Sequence, residues 1–132
     1  MKKLVIAAIL VIAVFFVALN TSMIADQATA WVKEHPKDPN APVVLYRAAR
    51  WCDIMGDNKK AIETYWSLYQ QYPESSELCA AALYYSAQIQ ANATSARKLA
   101  NTYLDIIIKE YPNSGNWSTK AKELYDEVNY VH

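Results

Sequence analysis

Histidine, glycine and cysteine each occur only twice in these 132 residues, and each scarcity removes a class of function. His35 and His132 cannot form the i, i+4 pair that a zinc site on a helix needs. No Ser/His/Asp or Cys/His set can be assembled around two such positions. Gly56 and Gly115 stand alone, so no glycine-rich loop cradles a phosphate. Cys52 and Cys79 match no metal, redox or haem-attachment spacing. Charge of one sign is also lacking: Lys+Arg and Asp+Glu both number 13, which leaves no basic stripe for a nucleic acid. Glu123 and Glu127, four residues apart, read as the solvated face of a terminal helix. No catalytic, cofactor or metal residue is expected, and the chain does not read as an enzyme.

Apolar residues are plentiful, with ten tyrosines and four tryptophans among them. A chain of this length builds one small domain around them. The organising stretch is residues 61–85, a helix ending at Tyr72-Pro73, a polar turn, and a second helix opening near Ser76. Its junction recurs. LYQQYPESSE at 68–77 is echoed by IIKEYPNSGN at 107–116 and by WVKEHPKDPN at 31–40. Pro36, Pro73 and Pro112 therefore lie 37 and 39 residues apart. A period in the thirties marks stacked helical hairpins, none of which can bury its apolar face alone.

Lys2-Lys3 precedes sixteen apolar residues, LVIAAILVIAVFFVAL. At 1.5 Å per residue the run is about 24 Å long, short of a ~30 Å hydrocarbon core. The uncharged residues 20–25 would extend it. Two readings compete. A signal peptide has this basic start, with Ala28-Thr29-Ala30 as a distant cleavage site. Against it, residues 24–35 read as the second helix of an incomplete first hairpin, since Trp31 aligns with Leu68 and Ile107, and cleavage would cut that helix. An uncleaved N-terminal helix is favoured, with its lysines in the cytoplasm and the rest outside. The expected division is residues 1–25 as hydrophobic helix, 26–42 as half-repeat helix and Pro-rich linker, and 43–132 as repeat domain.

The linker PKDPNAP stops the leader helix near His35, and Asn40 is expected to cap the next helix, with Pro42 in its first turn. Leu45, Ala48, Ala49 and Cys52 then fall on one helical face. Gly56-Asp57-Asn58 breaks the helix, with Gly as its C-cap and Asp or Asn as the N-cap of the next. Ala61, Tyr65, Leu68 and Tyr72 form the facing stripe. Leu78, Ala81, Ala82, Tyr85 and Ile89 form the third, followed by a polar loop at 90–95. Ala100, Leu104, Ile107 and Tyr111 form the fourth, and Trp117, Ala121, Leu124 and Val128 the last. Both cysteines lie in these patterns as small buried hydrophobes; a disulfide between neighbouring helices is the alternative in an oxidising compartment.

This spacing resembles the tetratricopeptide repeat. The family's large–small–small–aromatic, then small–aromatic–small–Pro pattern falls on Leu45, Ala48, Ala49, Cys52, Gly56, Ala61, Tyr65, Leu68 and Pro73. It falls again on Leu78, Ala81, Ala82, Tyr85, Ala100, Leu104, Ile107 and Pro112, and a half-repeat opens at Trp117. Leu45 and Leu78 replace the usual Trp, Cys52 replaces an aromatic, and Lys120 replaces an apolar residue. The Tyr-Pro-x-Ser endings at 72–75 and 111–114 look like those of bacterial envelope members, such as the outer-membrane assembly lipoprotein and the Tol-Pal coordinator, which are non-catalytic scaffolds.

The resemblance implies an all-α solenoid of hairpins behind a hydrophobic N-terminal helix. It implies a concave, peptide-binding groove lined by Tyr46, Arg50, Asp53, Leu83, Ser86, Lys122 and Tyr125, with Tyr as anchor and Arg as carboxylate clamp. Arg50 and Asp53, at i and i+3, can instead pair with each other. The expected function is an envelope-anchored scaffold or accessory subunit that docks on a larger complex. The alternative is a structural subunit that assembles with itself into a filament around its hydrophobic helix. Partners are other proteins or further copies, and the membrane through the leader. Sequons stand at Asn20, Asn92 and Asn116, of which Asn92, on the long loop, is the candidate for glycosylation.

Overall fold

The computed structural model describes residues 1–19, 21–92 and 96–130. Asn20, the end of the polar loop at 93–95 and His132 lie outside them. Seven helices and no strand are found among the described residues. They are α1 (Lys2–Leu19), α2 (Thr21–Glu34), α3 (Ala41–Ile54), α4 (Asn58–Gln71), α5 (Ser76–Ala91), α6 (Arg97–Glu110) and α7 (Asn116–Asn129).

The turns follow from their residues. Gly56 takes φ +84°, a conformation in which a Cβ is strained. That lets the Asp57 amide reach back to the Cys52 carbonyl at 2.9 Å and the Gly56 amide to Asp53 at 3.1 Å. The Asp57 side chain then accepts from the Lys60 amide and starts α4. Before α3 the cap differs from expectation. Asn40 makes no side-chain cap bond. Asp38 holds this turn, its carboxylate accepting from the Asn40 amide at 2.8 Å, and Pro42 lies in the first turn of α3. A short Asp two residues upstream competes for the same turn as an Asx motif.

Helices α3 and α4 pack as one hairpin and α5 and α6 as the next; α2 lies on α3 and α4, and α7 on α5 and α6. The core runs through them as one layer, with Leu45, Ala61, Tyr65, Leu68, Leu104 and Ile107 all buried. Burying a Leu or Ile side chain contributes about 1.5–3 kcal/mol. Helix α2 packs against α3 and α4; its fully buried residues are Ala25 and Val32, and Trp31, expected on its stripe, is only half buried. Cys52 and Cys79 are both buried in this core, and no disulfide joins the two. The Cys79 thiol donates to the Tyr72 carbonyl at 3.1 Å, which ties α5 to the end of α4.

The repeat register also shifts. Counted from the junction prolines, Leu45, Ala82 and Ala121 are each nine residues on, and all three are wholly buried. Ala82, and not Leu78, is thus the counterpart of Leu45. Ala49, Ser86 and Tyr125 correspond in the same way, as do Cys52, Ile89 and Val128. The slip by one turn has a physical source. Helix α5 touches α3, α4, α6 and α7 and buries Cys79, Ala80, Ala81, Ala82, Leu83, Ser86 and Ala87. A helix covered on nearly every side has no single apolar stripe to read.

Among the described residues helix α1 packs against the adjoining α2 alone. Its apolar side chains up to Phe16 are exposed on all sides, Leu4 at 75% and Phe16 at 65%. Among the described residues no helix is long and apolar enough to cross a membrane.

Candidate functional site: an aromatic and cationic face

Helices α3, α4, α5 and α7 bring a rank of rings together. Tyr46 of α3 lies 6.4 Å from Tyr65 of α4, and Tyr65 stacks on Tyr85 of α5 at 6.2 Å. Tyr85 meets Trp117 of α7 edge-on at 5.7 Å, and Trp117 also touches Tyr84. These contacts lie within the range at which aromatic pairs attract. They cross from one hairpin to the next and continue into α7.

Two cations sit on this rank. The Arg50 guanidinium lies over the Tyr85 ring, 3.9 Å from its centroid, and the Lys120 ammonium over Trp117 at 4.7 Å. Both are cation–π distances. Arg50 also donates to Asp53 at 2.9 Å, the i, i+3 pairing that the spacing allows. The Asp53 carboxylate accepts a second bond from the Tyr65 hydroxyl at 3.0 Å. Burial pushes the Tyr65 hydroxyl well above its ordinary pKa and raises that of Tyr46 as well, so both remain neutral donors at ordinary pH. A carboxylate arriving at Arg50 therefore competes with Asp53 for the guanidinium.

The residues expected to line one groove separate into three groups. Tyr46, Arg50 and Asp53 are brought together on the face just described. Leu83 and Ser86 do not reach it: they are 1% and 2% exposed, and the Ser86 hydroxyl donates to the Ala82 carbonyl inside its own helix. Both belong to the enclosed α5, which leaves them no surface to offer. Lys122 is exposed and Tyr125 half buried on α7, with Tyr125 packed against the core's edge. Asn92 is exposed at the end of α5; the rest of its sequon lies outside the described residues. The stripe reading assigned Tyr85 and Trp117 to packing, noted Lys120 only as a departure from the repeat pattern, and passed over Tyr84. Trp117 and Lys120, three residues apart on α7, offered a local signal, an aromatic one turn from a cation; α5 has no basic residue, so Tyr84 and Tyr85 offered none.

A cleft of about 450 Å³ opens beside this face between α5, α6 and α7, around Tyr84, Gln88, Arg97 and Glu127. Among the described residues no cluster of His, Cys, Asp or Glu could hold a metal ion.

Antiparallel helix pairs of near-equal length, stacked so that each closes the core of its neighbour, define a helical-repeat solenoid, a class used for protein binding. The tetratricopeptide repeat family matches residues 44–75 and again 81–114, half of the chain, and this protein belongs to that family. Comparisons with curated proteins and with solved structures give no match.

Proposed function

We propose that this chain is a non-catalytic interaction scaffold, an accessory subunit of the cell envelope that docks on a larger protein complex. Repeats of this family mediate protein–protein contacts, and the observation that carries the reading is the half-buried rank of Tyr46, Tyr84, Tyr85 and Trp117, with Arg50 and Lys120 seated on the rings. Tyrosine, tryptophan and arginine are the residues that dominate binding hot spots. A peptide with aromatic or apolar side chains and a carboxylate would stack on the rings and displace Asp53 from Arg50.

Helix α1 is the proposed attachment. An apolar surface on every side of a helix is stable only in lipid or inside a protein. In a membrane, Lys2 and Lys3 would reach the cytoplasmic headgroups and the repeats would stand outside the cytoplasm. Shortness relative to the bilayer is met by local thinning. The resemblance of the Tyr-Pro-x-Ser turns to envelope scaffolds agrees with this placement, in which Asn92 is open to glycosylation wherever the source glycosylates.

The test is paired. Full-length chain and a Tyr46→Ala, Arg50→Ala variant are purified from envelope extract after cross-linking. A partner held by the first and lost from the second supports the docking face; equal recovery overturns it. Alkaline extraction of membranes reads the attachment: release of the chain into the soluble fraction refutes insertion of α1. A second reading, self-assembly into a filament, is favoured by one observation, the uncovered end of the stack at α2 and α3.

A further inference from the structure

In each hairpin the second helix, packed on its first helix, buries three residues at matching positions. Counted back from the junction proline these are Ala61, Tyr65 and Leu68 in α4, and Ala100, Leu104 and Ile107 in α6, all wholly buried. The same three positions in α2 are Ile24, Ala28 and Trp31. Ile24 is 37% exposed, and Ala28 and Trp31 are half buried. No first helix lies against them among the described residues, since α1 only adjoins the start of α2. What remains is an apolar slot of about 340 Å³ between α2 and α3, walled by Ile24, Ala28, Val44, Arg47, Ala48 and Trp51. Trp51 also carries a buried indole nitrogen without a hydrogen-bond partner, an uncompensated donor.

Helix α7 shows the converse. It is a first helix by register, and Ala121, Tyr125 and Val128 are the counterparts of Leu45, Ala49 and Cys52 of α3, the helix that packs on α4. Ala49 and Cys52 are wholly buried; Tyr125 and Val128 are not. Among the described residues no second helix faces them.

We propose that α7 of one copy fills the slot over α2 and α3 of the next, so that two incomplete hairpins make one complete hairpin across the junction. The contact type is already made twice within the chain, by α3 with α4 and α5 with α6, so the interface continues an existing one. Charge agrees with it. Asp126 of α7 is the counterpart of Arg50, which lies over Tyr85. The counterpart of Tyr85 in α3 is Ala48, beside Arg47. Stacking therefore brings the Asp126 carboxylate of one copy to the exposed Arg47 of the next. A head-to-tail contact of this kind does not close on itself and makes a linear polymer.

This deepens the self-assembly reading and rests on it; it leaves the face around Tyr46 and Arg50 free, so its failure says nothing about docking there. The experiment uses the full chain in detergent micelles, followed by sedimentation velocity. The protein mass per particle should rise with concentration. Ala28→Arg blocks the slot and Asp126→Arg sets two like charges together, so each variant alone should stay a single copy. Mixed, they should form a one-to-one dimer, because one retains an intact slot and the other an intact α7. A wild type that stays single at every concentration, a variant that polymerises like wild type, or a mixture without dimers overturns the proposal.

Discussion

The hydroxyl of Tyr72 donates to the carbonyl of Pro36 at 2.8 Å, across 36 residues of chain. Tyr111 makes the same bond to Pro73, also at 2.8 Å. The tyrosines before Pro73 and Pro112 thus each clamp the preceding junction, and the recurring Tyr-Pro is a tertiary contact as well as a helix stop.

Tyr72→Phe and Tyr111→Phe should each lower stability by about 1 kcal/mol, the net worth of one such bond with the ring packing kept. The two sites are coupled, because the Tyr111 hydroxyl bonds to Pro73, the residue after Tyr72, and Cys79 touches both tyrosines, so the double variant should depart from the sum. Urea unfolding followed by circular dichroism measures both. No change in the midpoint for either variant would show that the clamp contributes nothing.

Leu104→Ala should cost roughly 2–5 kcal/mol, because the wholly buried side chain leaves a cavity between α5 and α6. Lys122→Ala, on the exposed face of α7, should stay within about 0.5 kcal/mol of wild type. Thermal melts of the two variants side by side check the order. Equal melting temperatures would contradict the core described here.

Gly56→Ala should destabilise by about 1 kcal/mol, and through the backbone alone. At φ +84° a Cβ would meet no atom within 4 Å, so no clash adds to the strain. Gly56→Asn should recover part of the loss, since Asn tolerates this conformation. An Asn variant as unstable as the Ala variant would point to some other cause.

Alkaline pH should unfold the chain. Burial raises the Cys79 thiol from 9.0 to about 11 and raises the Tyr65 and Tyr111 hydroxyls above their ordinary 10. For each group the protonated form is favoured in the fold. Stability from this source is complete below pH 9, where the unfolded thiol is still protonated. It falls as pH rises through 9–11 for the thiol, and from 10 upward for the phenols, as the unfolded chain loses protons that the folded one keeps. Unfolding midpoints measured from pH 7 to 11 should fall above pH 9. Alkylation of Cys79 at pH 8 should need urea, since the thiol is both buried and protonated.

Most of the fold was legible because prolines and glycines punctuate it. Pro36, Pro73, Pro112 and Gly56 fixed where helices end, and the small-residue stripes of α3, α4 and α6 face a single way. The register of α5 was not legible. Its run of alanines is equally apolar in several directions, and only the arrival of α7 on its far side decides that Leu83 and Ser86 are enclosed. The site was half legible for a related reason. Tyr46, Arg50 and Asp53 lie on a helix with one polar side. Tyr84, Tyr85 and Trp117 join them only when the two hairpins and α7 stack, which no local pattern records. The cap at α3 failed on competition between neighbours, Asp38 taking the turn that Asn40 was equally suited to hold.

Every packing contact in the stack joins helices no more than two places apart in the chain. Mechanically the molecule is a set of links in series. A pull between α1 and α7 loads the Tyr–Pro clamps and hairpin seams one after another, with no distant strand or crossover to share the strain. Such a chain should lengthen in steps of roughly one hairpin and re-form from whichever link survives, because the loop that must close to restore each contact is short.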